Sequence, residues 1–334
     1  MAIPRVEREQ AEHLLIGPYG LLSENSRGRL QPEPPCEIRP CFQRDVDRII
    51  HSKSFRRLKH KTQVFLQPEG DHYRTRLTHT LEVARLSRTV ARALRLNEDL
   101  TEAIALGHDL GHTPFGHAGE RALDRIYPEG FKHYEQSLRV VDVLERDGRG
   151  LNLCYETRMG ILHHTHGAPD DIPEAVTVRL CDQIAYINHD LDDAIRAGIL
   201  TAQAVPARIR DNCGERNSER IDAFMKDMIA SSTGGEIRLS ERMREVFLYF
   251  KGYMFSDVYT NPVAKGEESK VDGILERLYE YYTARPETMP AQFLAIAEAE
   301  GAGRAACDYI SGMTDSYAME KYGELFIPFA WTVK

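Results

Sequence analysis

The sequence predicts an all-α protein, a helical bundle with additional C-terminal helices. Apolar residues recur at spacings of three and four over most of the 334-residue chain, as amphipathic helices require. Strand signals, such as runs of alternating polar and apolar residues, are few. We expect residues 1–43 to wrap the surface with little regular structure. Residues 44–198 should form the core, on which a helical region of residues 199–334 packs.

The composition is that of a soluble globular protein, with 42% hydrophobic and 28% charged residues. No apolar run approaches the roughly 18 residues that a membrane span needs, and the N-terminal sequence MAIPRVEREQ lacks the apolar core of a secretory signal. The six cysteines have no CxxC spacing and should be reduced, mostly buried thiols. These features predict a cytoplasmic protein without membrane contact.

A basic block occupies the start of the predicted core, although the net charge of −8 argues against nucleic-acid binding over the whole surface. The block consists of Arg44, Arg48, Lys53, Arg56, Arg57, Lys59, Lys61, Arg74 and Arg76. Two interpretations stay open: a solvated helix face, or a cationic wall that binds a polyphosphate. Binding of single-stranded nucleic acid is compatible with the block but not indicated by it.

Residues 78–96 form the first helix that bears on function. Val83, Leu86 and Val90 follow one another at spacings of three and four, which predicts an amphipathic helix. His79 lies one turn before Val83 and therefore on the same inward face. A histidine on such a face is a candidate metal ligand.

The next predicted helix is capped by Asn97 or Asp99 and ends at His108-Asp109. A neighbouring His-Asp pair can offer one imidazole nitrogen and one carboxylate oxygen to the same divalent cation. Gly107 should give the backbone the freedom to point both side chains at one centre.

The motif GHDLGHTPFGH continues from this helix end. Gly111, like Gly107, is expected to supply backbone freedom. Thr113-Pro114 should then break the chain before a further helix, FGHAGERALDRI, which carries His117.

A helix over residues 173–197 carries a polar stripe on an otherwise apolar sequence. The stripe consists of Asp182, Tyr186, Asp190 and Asp193. Asp182 follows Leu180 and Cys181 in an apolar run, where an unpaired carboxylate would cost several kcal/mol. A metal ion would offset that cost, whereas Asp192 and Asp193 are expected to be solvated.

Residues 199–300 should form a second helical layer with polar loops at DNCGERNSER and SSTGGE, followed by a turn-containing tail. The remaining histidines are expected at the surface or in structural roles. They include His163, His164 and His166.

Four residues spread over about a hundred positions have the side chains of a mixed N/O metal site. They are His79, His108, Asp109 and Asp182. Such a shell suits one divalent ion (Mn²⁺, Fe²⁺, Co²⁺, Ni²⁺ or Mg²⁺), with the histidines favouring ions other than Mg²⁺. Because the shell leaves positions open for water and substrate oxygens, it indicates a metal-dependent hydrolase.

The order H…HD…D resembles the HD-domain superfamily, and longer segments resemble one of its families. The segments are RDVDRIIHSKSFRRLKHKTQVF, RTRLTHTLEVAR, LGHDLGHTPFGHAGERALD, HYEQSLRVV, LCDQIAYINHDLDDAI and DYISGMTDSYA. From about Arg44 onward the chain is similar to deoxyguanosine triphosphate triphosphohydrolases (dNTPases), in their shorter bacterial "triphosphohydrolase-like" branch. This implies an HD-domain bundle that hydrolyses a dNTP at the α-phosphorus to a deoxynucleoside and tripolyphosphate.

The resemblance also implies catalytic roles. His117 would protonate the leaving 5′-oxygen, with Glu120 setting its tautomer. His133 would hold a phosphate oxygen or the attacking water, and His112 would line the same pocket. Tyr134, next to His133, departs from the smaller polar residue that the family pattern suggests.

Substrate contacts follow from the same resemblance. Gln63 and Asp190 match positions that contact the sugar, and Tyr186 matches the residue that stacks on the deoxyribose and would clash with a 2′-hydroxyl. Arg76 and Gln183 match phosphate-side positions, although Gln183 stands where a mammalian relative carries lysine. Two residues of the basic block, Arg57 and Lys61, are added as substrate contacts on charge alone.

Partners and alternative functions remain predictions. The resemblance implies a homo-oligomer, with dNTP as substrate and as a candidate activator at subunit contacts. The segment GMTD, residues 312–315, either borders the base pocket or only closes the bundle. The alternatives are another HD-type phosphohydrolase (a nucleotidase or cyclic-nucleotide phosphodiesterase) and a regulatory nucleotide- or nucleic-acid-binding protein with a structural metal.

Overall fold

The computed structural model describes residues 4–63, 74–261 and 266–328, and over these ranges the protein is all-α as predicted. Contacts between extended segments in the described ranges are isolated bridges, such as Arg29 with Cys154 and Thr62 with Thr75. No described helix is both long enough and apolar enough to cross a membrane. All six cysteines are free thiols, and four of them are buried, in agreement with the prediction.

Nine α-helices of five or more residues occupy the described part of the chain up to residue 196. They are α1 (Arg5–Leu15), α2 (Cys41–Ile50), α3 (Lys53–Arg57), α4 (Arg76–Ala93), α5 (Glu98–Gly107), α6 (Gly116–Ile126), α7 (His133–Arg139), α8 (Tyr155–His163) and α9 (Pro173–Arg196). The predicted helices over residues 78–96 and 173–197 correspond to α4 and α9.

The described C-terminal part is helical as well. Its helices are α10 (Ala207–Cys213), α11 (Asn217–Ser231), α12 (Glu241–Tyr253), α13 (Glu268–Ala284), α14 (Ala291–Glu300), α15 (Ala302–Ser311) and α16 (Asp315–Phe326). A π-helical segment, Met254–Tyr259, continues α12. The predicted loop DNCGERNSER is shorter than expected, because α10 and α11 take up all of it except residues 214–216.

The expectation of little regular structure in residues 1–43 is wrong for α1. The sequence RVEREQAEHLL contains good helix formers and follows a proline, which fits a helix start. None of its residues is buried. It is attached instead through Glu12, which accepts hydrogen bonds from the N–H and the hydroxyl of Ser23 at 2.7 and 2.6 Å. The helix is therefore held by polar contacts and not by a buried apolar face.

Side-chain caps place the functional residues at helix ends. Asn97 rather than Asp99 caps α5, because its side chain accepts from the N–H of Leu100. The helix then ends at Gly107, so that His108 and Asp109 follow it directly, as predicted.

The apolar core consists of three clusters. In the first, α5 is surrounded by α2, α4 and α9. The second joins α4 and α9 to α10, α11 and α12. The third joins α6 to α13 and α15. The C-terminal helices therefore bury apolar faces of helices that belong to the predicted core, and the boundary at residue 198 remains a prediction.

Gly107 and Gly111 are needed for their small size and not for backbone freedom, which corrects the sequence interpretation. Neither has a positive φ angle. A Cβ on Gly111 would lie 2.1 Å from the backbone nitrogen of Ser137 and 2.5 Å from the carbonyl oxygen of His133. Because Gly111 has no side chain, the turn that carries His108 and Asp109 can pack against the backbone of α7.

We expect Gly111→Ala to lower the free energy of unfolding by about 3 kcal/mol, because the added methyl group overlaps backbone atoms that cannot rotate away. Urea unfolding measures the change. The control is Gly273→Ala in α13, where a Cβ meets nothing within 4 Å. That variant should be stabilised by up to about 1 kcal/mol through helix propensity. A loss below about 1 kcal/mol at Gly111 would contradict the steric argument.

Candidate metal centre and active site

Three helices bring the four candidate ligands to one centre. His79 lies in the first turn of α4, His108 and Asp109 follow α5, and Asp182 lies in the middle of α9. The Oδ1 atom of Asp182 is 3.0 Å from His79 Nε2 and 3.7 Å from His108 Nε2. His108 Nε2 is also 3.4 Å from Asp109 Oδ1. The ligand atoms of His79, His108 and Asp109 are therefore close enough together for one ion, and Asp182 lies beside both histidines.

The hydrogen bonding of His108 fits a cation at this centre. Its Nδ1–H donates to the carbonyl oxygen of Ala105 at 2.6 Å, which leaves Nε2 with a lone pair. Nε2 is buried and has no hydrogen-bond partner in the described structure, yet it faces carboxylate oxygens of Asp109 and Asp182. Lone pairs in this arrangement repel one another unless a cation lies between them. The donor set therefore fits a divalent metal ion.

Neighbouring groups keep both carboxyl groups ionised. Burial alone would raise the pKa of Asp109, but the adjacent His108 ring and the charge of Arg76 hold that pKa well below its ordinary value. Burial likewise opposes ionisation of Asp182, whose pKa is nevertheless lowered to about 2 by the hydrogen bond with His79 and by the neighbouring His108 ring. Ionised carboxylates are the form that binds a metal.

Arg76 borders the candidate metal centre and also forms a hydrogen bond with one of its candidate ligands, Asp109. Its Nη1 donates to Asp109 Oδ2 at 3.0 Å, and the side chain is fully buried. The hydrogen bond fixes the orientation of the Asp109 carboxylate, so that its other oxygen faces His108.

A carboxylate shared by two histidines lies beside this centre. The Oε2 atom of Glu120 is 3.3 Å from Nδ1 of His117, and its Oε1 atom accepts from Nδ1 of His133 at 2.8 Å. The backbone N–H of His133 donates to the same Oε1 at 2.9 Å. Burial would raise the pKa of Glu120, but the hydrogen bonds with His117 and His133 hold that pKa well below its ordinary value. The predicted pair of His117 and Glu120 is thus part of a chain of three residues.

His112 and His164 complete the histidine cluster. The His112 ring stacks on His133 with ring centroids 4.0 Å apart, and burial lowers its pKa well below the ordinary value, which keeps it neutral. His164 is buried, contrary to a surface position, and its Nε2 lies 3.2 Å from Nε2 of His133. Sequence reasoning missed His164 because the run HHTH at the end of α8 has no spacing that relates it to residue 133.

A cavity of about 670 Å³ borders these groups, a volume typical of small-molecule sites. Its lining includes all four predicted catalytic residues: His112, His117, Glu120 and His133. It also includes five predicted substrate contacts: Gln63, Arg76, Gln183, Tyr186 and Asp190. The structure therefore brings these nine residues to one cavity.

Tyr259, in the π-helical segment, is a further lining residue that the sequence did not indicate. Its hydroxyl donates to Oδ2 of Asp190, while Oδ1 of Asp190 is buried without a partner in the described structure. A buried carboxyl oxygen without a partner, beside a cavity, is suited to a ligand hydroxyl group, which can donate or accept a hydrogen bond. π-Helical segments are frequent at functional sites, but their sequence looks like an ordinary helix end.

Arg57 and Lys61 line a different cavity, so their position does not support the predicted contact with substrate. Lys61 is buried, and its ammonium group donates to the carbonyl oxygens of His112 and Ser311. Burial, together with the charge of Arg57, lowers the pKa of Lys61 to about 7. Lys61 therefore connects the segment that contains His112 with the end of α15.

The basic block does not form one cationic wall. Arg48 binds Glu33, and Arg74 binds Asp193 at 3.1 Å together with Asp192. Asp193 is consequently buried, and the expectation that it is solvated is wrong. The pairing was invisible in the sequence because Arg74 and Asp193 are 119 residues apart.

Burial raises the pKa of Asp190 to about 8, so the folded protein retains a proton there that the unfolded chain releases near pH 4. Stability from this group therefore falls as the pH rises from about 4 to 8. We expect Asp190→Asn, which stays neutral, to raise the free energy of unfolding at pH 9 by at least about 1 kcal/mol and to change it little at pH 4.

Urea unfolding at both pH values measures the difference between Asp190→Asn and the wild type. Asp222→Asn, at an exposed position of α11, is the control and should leave the pH dependence unchanged. Equal pH dependence in the wild type and Asp190→Asn would mean that Asp190 is ionised in the folded protein at neutral pH.

Comparison with known proteins assigns the chain to a family. Residues 76–187 match the HD domain, and residues 237–324 match the phosphohydrolase-associated domain. The chain is 52% identical over 324 residues to a deoxyguanosinetriphosphate triphosphohydrolase-like protein of Caldanaerobacter subterraneus subsp. tengcongensis, covering 97% of this chain and 96% of the relative.

Two further relatives carry the same name. The protein from Desulfatibacillum aliphaticivorans is 46% identical, over 97% of this chain and 98% of its own length. That from Clostridium perfringens is 46% identical, over 96% of both chains. The His/Asp cluster of the structure agrees with the metal-dependent chemistry of HD phosphohydrolases. The chain belongs to the family of deoxyguanosinetriphosphate triphosphohydrolase-like proteins, HD-domain phosphohydrolases that depend on a divalent metal.

Proposed function

We propose that this protein is a dNTP triphosphohydrolase, which hydrolyses dGTP or several dNTPs at the α-phosphorus to deoxynucleoside and tripolyphosphate. The observation that carries the proposal is a single cavity that borders three groups of residues. They are the candidate metal ligand Asp182, the hydrogen-bonded set of His117, Glu120 and His133, and the carboxyl group of Asp190. The names of the relatives support the substrate class.

His79, His108, Asp109 and Asp182 would hold one divalent ion. When bound, the ion supplies positive charge at an α-phosphate oxygen and lowers the pKa of an attacking water. Arg76 keeps the Asp109 carboxylate in place through its hydrogen bond. The choice among Mn²⁺, Fe²⁺, Co²⁺, Ni²⁺ and Mg²⁺ stays a prediction, with the histidine donors favouring ions other than Mg²⁺.

Proton transfer falls to His117 in this proposal. Its side chain is 63% exposed, so it can reach a ligand in the cavity. Because Nδ1 contacts Glu120, the doubly protonated form of His117 would donate its Nε2 proton to the leaving 5′-oxygen. His133, held by the same carboxylate, would contact a phosphate oxygen or the attacking water, and the stacked, neutral His112 would pack behind it.

The stripe on α9 supports placement of the deoxyribose. Asp182, Tyr186 and Asp190 follow at one-turn intervals, each about 6 Å along the helix. A sugar attached to an α-phosphate at Asp182 would thus pass Tyr186 and reach Asp190. The unpartnered Oδ1 atom of Asp190, with Gln63, would form hydrogen bonds with the 3′-hydroxyl.

Polar and cationic side chains that line the cavity would bind the rest of the triphosphate. Arg76 and Gln183 were predicted for this role, and Lys251 borders the same cavity. Arg121 and Lys132 also border it, paired with Glu268 and Asp124, and would contact the phosphates by exchanging those partners. They take the place of Arg57 and Lys61 in the proposal.

Product analysis tests the function. Metal-free protein is incubated with each dNTP and with mixtures, with and without Mn²⁺, and the products are separated by chromatography. Metal-dependent release of deoxynucleoside and tripolyphosphate is the expected result. Activity only in mixtures would support nucleotide activation, and sedimentation in the same mixtures tests the predicted homo-oligomer.

Release of a nucleoside monophosphate or of single phosphates would instead assign the protein to another class of HD phosphohydrolase. Binding without any product would favour the regulatory interpretation. Either result contradicts the proposed reaction.

A further inference from the structure

A buried carboxylate from the C-terminal region joins two segments of the candidate active site. Asp315 begins α16 and is 2% exposed. Its Oδ1 atom accepts from the backbone N–H of Phe115 at 2.9 Å. Its Oδ2 atom accepts from the backbone N–H and the hydroxyl of Thr62, at 3.1 and 2.8 Å. All three partners are donors, so both carboxylate oxygens act as acceptors.

Each segment held by Asp315 leads directly to cavity residues. Phe115 has a φ angle of 63°, in the left-handed region that large side chains rarely adopt. The start of α6 follows it at once, with His117 two residues later. Thr62 precedes Gln63. Hydrogen bonds from a buried carboxylate can hold such a strained residue in place.

Packing around α6 shows the same dependence on the C-terminal helices. Phe115 and Leu123 belong to the apolar cluster that includes residues of α13 and α15. Lys61, just before Thr62, donates to the carbonyl oxygen of Ser311 at 2.8 Å. Apolar packing fixes the axis of α6, whereas the Asp315 hydrogen bonds fix where its first turn begins.

We propose that Asp315 is a positioning residue, which sets the location of His117 and Glu120 relative to Gln63 and the metal centre. The inference rests on the proposed function for its activity measurement only. The segment GMTD then neither borders the cavity nor serves merely to close the bundle, the two alternatives that the sequence left open. It transmits the position of the C-terminal helices to the catalytic groups.

The test is Asp315→Asn, which keeps the shape but places an amide NH₂ group against one of the donor groups. We expect kcat for dNTP hydrolysis to fall about tenfold to a hundredfold, because a displacement of about 1 Å at a catalytic group has an effect of this size. KM and bound metal should stay within about threefold, since the four candidate ligands do not contact Asp315.

Thr314→Ala is the matched control. The Thr314 hydroxyl accepts from the N–H of Tyr317 inside α16, so the variant weakens the same helix without touching Thr62 or Phe115. Both variants should melt a few degrees below the wild type. Only Asp315→Asn should lose kcat. Equal kcat values in the two variants would reduce Asp315 to a structural residue and overturn the proposal, as would a joint loss of kcat and metal.

A readout without substrate separates this proposal from the proposed function. In metal-free protein with ¹³C-labelled histidine, the ring signals of His117 should shift in Asp315→Asn and stay in place in Thr314→Ala. Unchanged His117 signals would contradict the positioning role even if the wild type proved to lack dNTPase activity. Conversely, absence of tripolyphosphate from the wild type would remove the proposed function and leave this structural test intact.

Thr62→Val provides the same test if Asp315→Asn does not fold. It removes the hydroxyl donor but keeps the backbone hydrogen bond. A smaller loss of kcat, about threefold to tenfold, is expected with unchanged metal content. An unchanged kcat in this variant would also contradict the proposal.

Discussion

His108→Ala is expected to abolish metal retention and dNTP hydrolysis together. The substitution removes the nitrogen that faces Asp109 and Asp182, and leaves a buried and a partly buried carboxylate to repel each other. We expect metal content to fall by at least tenfold and turnover by at least about a thousandfold, because the metal supplies both substrate charge neutralisation and the attacking water. Elemental analysis of the purified protein and product chromatography measure the two losses.

Asp182→Ala should give the same pair of losses, since one oxygen of Asp182 lies 3.0 Å from His79 and 3.7 Å from His108. His60→Ala, at an exposed histidine, is the control and should retain metal and activity. Full activity of a metal-free His108→Ala protein would refute the assignment of the centre. Retention of metal by Asp182→Ala would remove Asp182 from the ligand set.

His117→Ala is expected to keep metal and nucleotide binding while lowering turnover by at least about a hundredfold. Proton donation by a positioned histidine contributes roughly this factor or more, and His117 contacts none of the candidate ligands by hydrogen bond or ion pair in the described structure. Turnover at saturating dNTP, nucleotide affinity and metal content should be measured on the same preparation.

The pattern of these three quantities decides the role of His117. A fall in kcat with unchanged affinity supports the acid/base role. An unchanged rate would assign proton transfer elsewhere, with His133 as the neighbouring candidate on the same carboxylate. Loss of metal in this variant would show instead that His117 supports the centre.

The candidate ligands were predicted from their local context and from their order along the chain. His79 lies on the apolar face of an amphipathic helix, and His108-Asp109 follows a capped helix end. Asp182 stood out as a carboxylate in an apolar run. Periodicity and capping determine which way such side chains point within their own helix, so each could be interpreted without knowledge of its partners.

Local patterns failed where the deciding contact joins distant segments. Net positive charge suggested Arg57 and Lys61 as substrate contacts, but packing of α15 against residue 61 directs Lys61 to the carbonyl oxygen of Ser311. Asp193 looked like a solvated acid until folding placed Arg74 beside it. Charge type is visible in a sequence, whereas the partner of a charge is not.

By itself, the sequence determined the all-α class, the main helices and the types and order of the candidate metal ligands. Only the tertiary structure decided that His164 and Tyr259 border the same cavity, that Glu120 serves two histidines, and that Asp315 holds Phe115. The physical reason is range. Helix formation depends on neighbours within a turn or two, but hydrogen bonds between buried groups depend on where whole helices pack, and that is decided by the complete apolar core.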